Sequence, residues 1–402
     1  MEKDNYEESE NKTGLDFLSN NVNVSELDEE TNTKLRGDAI GETLYSQSFV
    51  LKTLLQFSDL KWDEDLEEDL CFLWDMTLEK DVCKYLFEIS FPTVACSALE
   101  KYTENRFIEI VIGILANILC GDCKKSISED EVNIVLRELN TDDHLILIQV
   151  IRFIIALSHM YNDLQFISKD VVDKLIFILN NSTSNDLLTK SLEGLSEVMS
   201  DFKLDRSLIN IEIIKSSLTA YKSVVDDLDE FSLDTKDKQL CCKYMLETVS
   251  NYCAYIEVCD TNDLIIEFRN CSNVFVNEII KLLNWFSLEE NLVPVTDEII
   301  FYMSAVKYIL ETLNINYISD IFFPLTKILY IVSDFKDEII ELFDTVVELE
   351  CYLCVHSTQE DLYRDFKHFP KNRAKKILAI LYENQHKFNF SLNLNYVQDK
   401  FK

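Results

Sequence analysis

The sequence predicts an all-α fold, a right-handed α-solenoid of armadillo- or HEAT-like repeats, and three observations carry that expectation. First, only 6 Gly and 4 Pro occur in 402 residues, against roughly 28 and 20 at ordinary usage. Sheet folds need turns with positive φ, and phosphate-cradling loops need backbone approach free of a Cβ; both consume glycine. The shortage argues against β-sandwiches, nucleotide-binding α/β sheets and eight-stranded α/β barrels. Second, 47% of the residues are apolar, enough for a large core. Third, residues 107–119 and 145–157 are apolar around nearly the whole helical circumference, as a helix buried between neighbours on both sides must be. GILANIL at 113–119 aligns with VIRFIIAL at 150–157 about 37 residues on, and SLEGLSEVM at 191–199 follows about 40 residues later, close to the period of armadillo and HEAT arrays. Past residue 205 the spacing loosens.

Taken in order, residues 1–36 carry ten acids and four bases with few aromatics, the composition of a disordered acidic arm. Within it Leu15, Phe17, Leu18, Val22, Val24 and Leu27 form a sparse apolar set. Residues 37–387 read as the solenoid. Helices are expected near 42–58, 63–79, 80–89, 92–101, 104–120, 129–139, 142–159, 169–180 and 185–201, then 207–226, 237–259, 262–286, 296–313, 317–333, 335–356 and 371–385. Asp63 suits an N-cap, Asp297 and Pro370 suit helix entry, and Gly121 suits a left-handed C-terminal cap. The acidic run Asp226, Asp227, Asp229, Glu230, Asp234 and Asp237 reads as an exposed loop and a possible domain seam near 226–237. In 388–402, Phe388, Phe390, Leu392, Leu394 and Tyr396 alternate with polar residues, a period-2 pattern expected to form an extended tail.

The formal net charge is −34. Such a molecule repels nucleic acid and anionic lipid unless a local exception exists. One does: residues 364–402 hold nine Lys/Arg against three acids, with Lys367, Lys371, Arg373, Lys375 and Lys376 clustered. It reads either as a nuclear-localisation or acidic-partner patch, or as a solvated helix start paired with the protein's own acids. The N-terminal segment is acidic and polar, unlike a secretory signal, so the 12 cysteines read as reduced thiols. The longest apolar stretches fall short of the about 20 residues that span a bilayer, so no membrane role is expected.

The stretches ETLYSQSFVLKTLLQF (42–57), EEDLCFLWDMTLEKDVCKYLFE (67–88) and EIVIGILANILC (109–120) resemble the serum amyloid A-like protein family, most clearly over 36–120 and with least likeness beyond about 160. The resemblance implies an armadillo fold, nuclear and also cytoplasmic residence, promotion of cell proliferation and no catalytic activity.

Candidate chemistry is sparse. In armadillo repeats that bind extended peptides, an inner-helix Asn bonds the ligand backbone and a Trp one turn earlier walls in its side chains. Asn117 matches that Asn, whereas Gly113 occupies the Trp position. The expectation is a protein- or peptide-binding groove around Asn117 and Arg152, with Trp74 and Trp62 as aromatic anchors. Arg152 either faces that groove and binds an acidic peptide or pairs with a neighbouring carboxylate; Asn117 either reads a ligand or bonds within the solenoid. Cys351, Cys354, His356 and His368 form the best metal candidate, but the segment ELECYLCV is apolar and helical and lacks a second Cys pair. Cys120 and Cys123 have redox spacing without a βαβ context. There is no GxGxxG, P-loop, HExxH or GxSxG, and no cofactor or metal is expected. The chain therefore reads as a non-catalytic interaction scaffold; the alternative is a nuclear transport or RNA-associated adaptor using the basic C-terminal helix.

Overall fold

The structure, a computed structural model, describes residues 37–121, 127–160, 166–201, 203–227, 230–259 and 261–401. The acidic arm at 1–36, Cys123 and Asp229 lie outside the described residues. The helices are α1 (Gln47–Gln56), α2 (Glu64–Met76), α3 (Lys80–Glu88), α4 (Phe91–Leu99), α5 (Asn105–Cys120), α6 (Glu129–Leu136), α7 (His144–Met160), α8 (Lys169–Asn181), α9 (Asn185–Met199) and α10 (Glu212–Val225). They continue as α11 (Lys236–Cys259), α12 (Asn262–Phe286), α13 (Glu289–Leu292), α14 (Asp297–Thr312), α15 (Ser319–Val332), α16 (Ile340–Val355), α17 (Gln359–Phe366), α18 (Lys371–Asn384) and α19 (Asn395–Phe401).

Local chemistry sets many of the starts. Asp63 accepts a hydrogen bond from the Leu66 amide, and Glu64, Asp65 and Glu67 fill the first turn of α2, where carboxylates oppose the helix dipole. Ser128 and Glu131 form a reciprocal capping box on α6. Thr296, not Asp297, caps α14.

The helices sort into two layers. α2, α5, α7, α9, α11, α14, α16 and α18 pack each against the next as an inner row. In the outer layer α4 packs on α6, α8 on α10 and α12 on α15. This is the solenoid that the repeat spacing predicts. The inner helices α5, α7 and α9 begin at 105, 144 and 185, so 39 and then 41 residues apart. The period then breaks because α11 and α12 run to 24 and 25 residues. Twelve of the 16 residues in α5 are buried. The stack runs through 226–237 unbroken, since α11 packs on both α9 and α14. There Asp226–Asp227 pairs antiparallel with Glu230–Phe231, and Lys281 of α12 bridges to Asp226 at 2.9 Å.

Three expectations are corrected. The C-terminal tail is not extended throughout: residues 395–401 form α19, packed on α17 and α18 with Val397 and Phe401 buried. Helix α17 was not anticipated; Thr358 caps it by accepting from the Asp361 amide. Gly121 ends α5 at φ −88°, outside the left-handed region. Glycine is needed there because an added Cβ would lie 2.9 Å from the Cys83 Cβ. The left-handed positions go instead to Leu60, Ser90, Asn314 and Asn389, along with Gly37 and Gly41.

One core group stands out. Glu350 of α16 is 0% exposed, with Oε1 accepting from Thr326 Oγ1 of α15 at 2.8 Å and Oε2 without a partner. Burial pushes its carboxyl up to about 8, against a smaller lowering by the Thr326 hydrogen bond. The folded state keeps this proton while the unfolded chain has already released it. The group's contribution is therefore full below the ordinary carboxylate range and is lost as pH rises through about 8, at about 1.4 kcal/mol per pH unit. Urea unfolding at pH 5 and pH 8.5 is expected to show this loss in the parent chain. Glu350→Gln, which carries no titrating proton, is expected to flatten the dependence and to be the more stable chain at the higher pH.

Candidate functional site

On the inner row, α2, α5 and α7 bring together three of the four residues that the sequence singles out. Gly113 of α5 lies directly beneath Trp74 of α2: a Cβ there would sit 2.3 Å from Cζ2 and 2.5 Å from Cε2 of the indole. The indole thus reaches α5 from the neighbouring helix and occupies the space above the glycine. One turn further along α5, Asn117 donates from Nδ2 to Thr77 Oγ1 at 2.8 Å. Its Oδ1 accepts from Arg152 Nη2 of α7 at 2.7 Å. Arg152 Nη1 donates to Gln149 Oε1, one turn earlier on α7, at 2.6 Å. Thr77 and Gln149 are buried, and Asn117 and Arg152 are half-buried. The result is a continuous polar ladder, Thr77–Asn117–Arg152–Gln149, crossing three helices.

Both alternatives left open by the sequence now have geometry. Asn117 uses its amide nitrogen and its oxygen within the stack, so it clasps α2, α5 and α7 together. Arg152 has no carboxylate within ion-pair distance among the described residues; its partners are two amide oxygens. Arg106 on the first turns of α5 shows the contrast. It bonds Glu109 at 2.8 Å and Glu67 at 3.2 Å, and the Glu109 hydrogen bond raises the guanidinium pKa further. In a chain with 72 acids against 38 bases, Arg152 is thus a half-buried guanidinium whose hydrogen bonds among the described residues all go to neutral groups.

Beyond α7 the inner row becomes acidic. Glu193 and Glu197 of α9 and Glu247 of α11 stand around Tyr244, whose hydroxyl pKa is raised by burial and then by these carboxylates. Burial likewise raises the Glu247 carboxyl, with Lys243 opposing the shift. His159 Nε2 lies 3.3 Å from Glu197.

Trp62 sits apart from this ladder, packed edge-to-face on Phe107 with ring centroids 5.9 Å apart, in a cluster with Phe57 and Tyr102. In the basic region, the Arg373 guanidinium lies 4.1 Å from the centre of the Tyr330 ring, and Lys376 Nζ lies 4.7 Å from the same ring and 2.5 Å from Asp334. Two of the five cations are thus held against α15. Lys367 caps the end of α17, and Lys371 opens α18, where Lys375 follows. Cys351 and Cys354 are buried in α16, and burial holds the Cys351 thiol up at about 12. His356 turns Nδ1 to the Tyr352 carbonyl at 2.8 Å, and His368 meets the Phe323 ring. No group of three or more potential metal ligands occurs among the described residues. No single helix among them is long and apolar enough to cross a membrane; the pair α3 and α4, bent by 76°, reaches that length only jointly.

Sequence reasoning missed Thr77 and Gln149. The i, i+3 spacing of Gln149 and Arg152 was the available signal; nothing local marks Thr77, which meets Asn117 only through the stacking of α2 on α5.

The fold defines the class: an all-helical repeat solenoid whose inner helices are joined by this ladder. No family model matches the chain. It is similar to Protein saal1 of Danio rerio, 29% identical over 206 residues that cover 46% of this chain and 44% of that protein. Protein SAAL1 of Homo sapiens is 30% identical over 199 residues, covering 43% and 41%. The match thus spans less than half the length of these relatives. Among solved structures, a designed armadillo repeat protein aligns with a TM-score of 0.44 at 14% identity, covering 65% of this chain and 99% of its own.

The Gly113–Trp74 contact yields a stability test. Alanine has the better helix propensity by about 1 kcal/mol, but its methyl cannot coexist with the indole in place. Gly113→Ala is expected to cost a net 1–3 kcal/mol, about the range for overpacking. Urea unfolding reads the loss, and a red shift of tryptophan fluorescence reads displacement of Trp74 toward water.

Proposed function

We propose that this chain is a non-catalytic interaction scaffold of the serum amyloid A-like kind, and that it binds an acidic peptide segment of a partner across α2, α5 and α7. The observation that carries this reading is Arg152, oriented by Asn117 and Gln149 and lacking a carboxylate among the described residues. A partner's Asp or Glu completes the guanidinium. The likeness to the SAAL1 proteins supports the assignment, and nuclear residence and a role in cell proliferation belong to the same reading. The adaptor alternative has less support, because Arg373 and Lys376 are engaged with Tyr330 and Asp334.

A displayed random-peptide library selected on the parent chain is expected to enrich Asp- and Glu-containing sequences. Arg152→Glu is expected to weaken those peptides by about tenfold or more, the value of one hydrogen-bonded charge pair. Lys169→Glu on the exposed surface of α8 is the matched charge control and is expected to leave them unchanged. Equal loss in both variants, or none in Arg152→Glu, refutes the proposed site.

A further inference from the structure

At the N-terminal end of the inner row α1 packs on α2 and turns Val50 and Thr53 inward. Its other side is open and carries two leucines alongside Ser48 and Lys52. Leu51 and Leu55, one turn apart, are 47% and 72% exposed, and Leu44 in the turn leading into the helix is 84% exposed. A repeat stack ordinarily finishes in a polar outer face, so exposed leucines at this end are an apolar surface without a partner among the described residues. We propose that this face is a docking site for residues 15–27 of the chain's own N-terminal arm.

Four observations select that occupant. The arm joins the body at the start of α1: Asp38 accepts from the Gln47 amide at 2.7 Å through its carbonyl, and from Ser46 Oγ, the N-cap of α1, at 2.5 Å through Oδ2. The Ala39–Ser46 bridge and the bond from the Glu42 amide to Asp81 at 2.8 Å hold the junction in place. The linker 28–36 has nine residues and so reaches up to about 30 Å, twice the roughly 15 Å length of a ten-residue helix such as α1. Such a tether places the arm at an effective concentration in the millimolar range, which a second copy at ordinary concentration does not match.

The third observation is pattern. Leu15, Leu18 and Val22 recur at i, i+3 and i+7, one stripe of a helix, which gives a complementary partner for the stripe of Leu51 and Leu55. The fourth is charge. Residues 15–30 carry Asp16, Glu26, Asp28, Glu29 and Glu30 with no base, and exposed Lys52 stands beside Leu51. The contact is thus apolar at its centre and opposite in charge at its edge, the ordinary composition of a docking interface.

The test uses the full chain with the photo-crosslinker p-benzoylphenylalanine at position 55, where the side chain is already exposed. Irradiation is expected to yield a cross-link between α1 and residues 15–27 at the mass of one chain, with the same yield on dilution. Leu15→Asp combined with Leu18→Asp, both outside the solenoid body, is expected to reduce that yield by about tenfold. A product at twice the chain mass identifies a second copy as the occupant and overturns the proposal. Cross-links confined to solvent or to the body overturn it as well.

Discussion

The rest of the structure depends on one constraint: an inner helix with a neighbour on each side has only a narrow free face on which to keep charge in water. α5 meets that constraint with 12 buried residues and Arg106 placed on its first turns, tied to Glu67 and Glu109. α7 meets it with Arg152 tied to two amides, and α16 meets it with Glu350, protonated by burial and bonded to Thr326. These polar groups are not scattered. They lie where neighbouring helices meet, so the bonds that satisfy them also fix how those helices register. Asn117 is the clearest case, because one amide group bonds a residue on each flanking helix.

Glycine acquires a different meaning under the same constraint. Its scarcity correctly excluded folds built on tight turns, but the residues that remain serve mostly as points of close approach. Gly113 admits Trp74, Gly121 admits Cys83, and Gly194 of α9 lies where a Cβ would be 2.7 Å from Ile151 of α7. Positive φ is taken by Leu60, Ser90, Asn314 and Asn389 as well as by Gly37 and Gly41. The Trp of a peptide-binding armadillo repeat is therefore not simply missing at position 113. The Trp74 indole reaches the space above it from α2, the neighbouring helix of the inner row, and glycine is the condition for its doing so.

Most of the fold was legible from sequence, because burial on two sides writes itself as apolar residues all round a helix and because a repeat spacing survives as an offset. The repeat units past residue 205 were not legible: α11 and α12 are long enough to destroy the offset while preserving the contacts. The tail was misread because alternation of Phe388, Phe390, Leu392 and Leu394 continues only to the start of α19, where the burial of Val397 and Phe401 follows a helical spacing. Of the candidate site, Asn117 and Arg152 were visible as polar residues in apolar helices. Their mutual bond was not, since it links residues 35 apart across two helices. Trp62 and Trp74 look alike in sequence; only packing separates a ring against Phe107 from a ring over Gly113.

The serial order of the inner row also has a mechanical consequence. Each helix is supported by its immediate neighbours, so bending at one junction is not resisted by contacts further along, and the stack behaves as a chain of compliant joints. Stiffness is then uneven. Helices α11 and α12, at 24 and 25 residues, extend past the ordinary repeat length, and Glu278 of α12 is bridged by Lys222 of α10 at 3.2 Å and by Lys281 of α12 at 3.1 Å. The Lys222 bridge ties α10 to α12 across the middle of the stack, so bending there has to break an ion pair to a buried carboxylate as well as shift packed side chains.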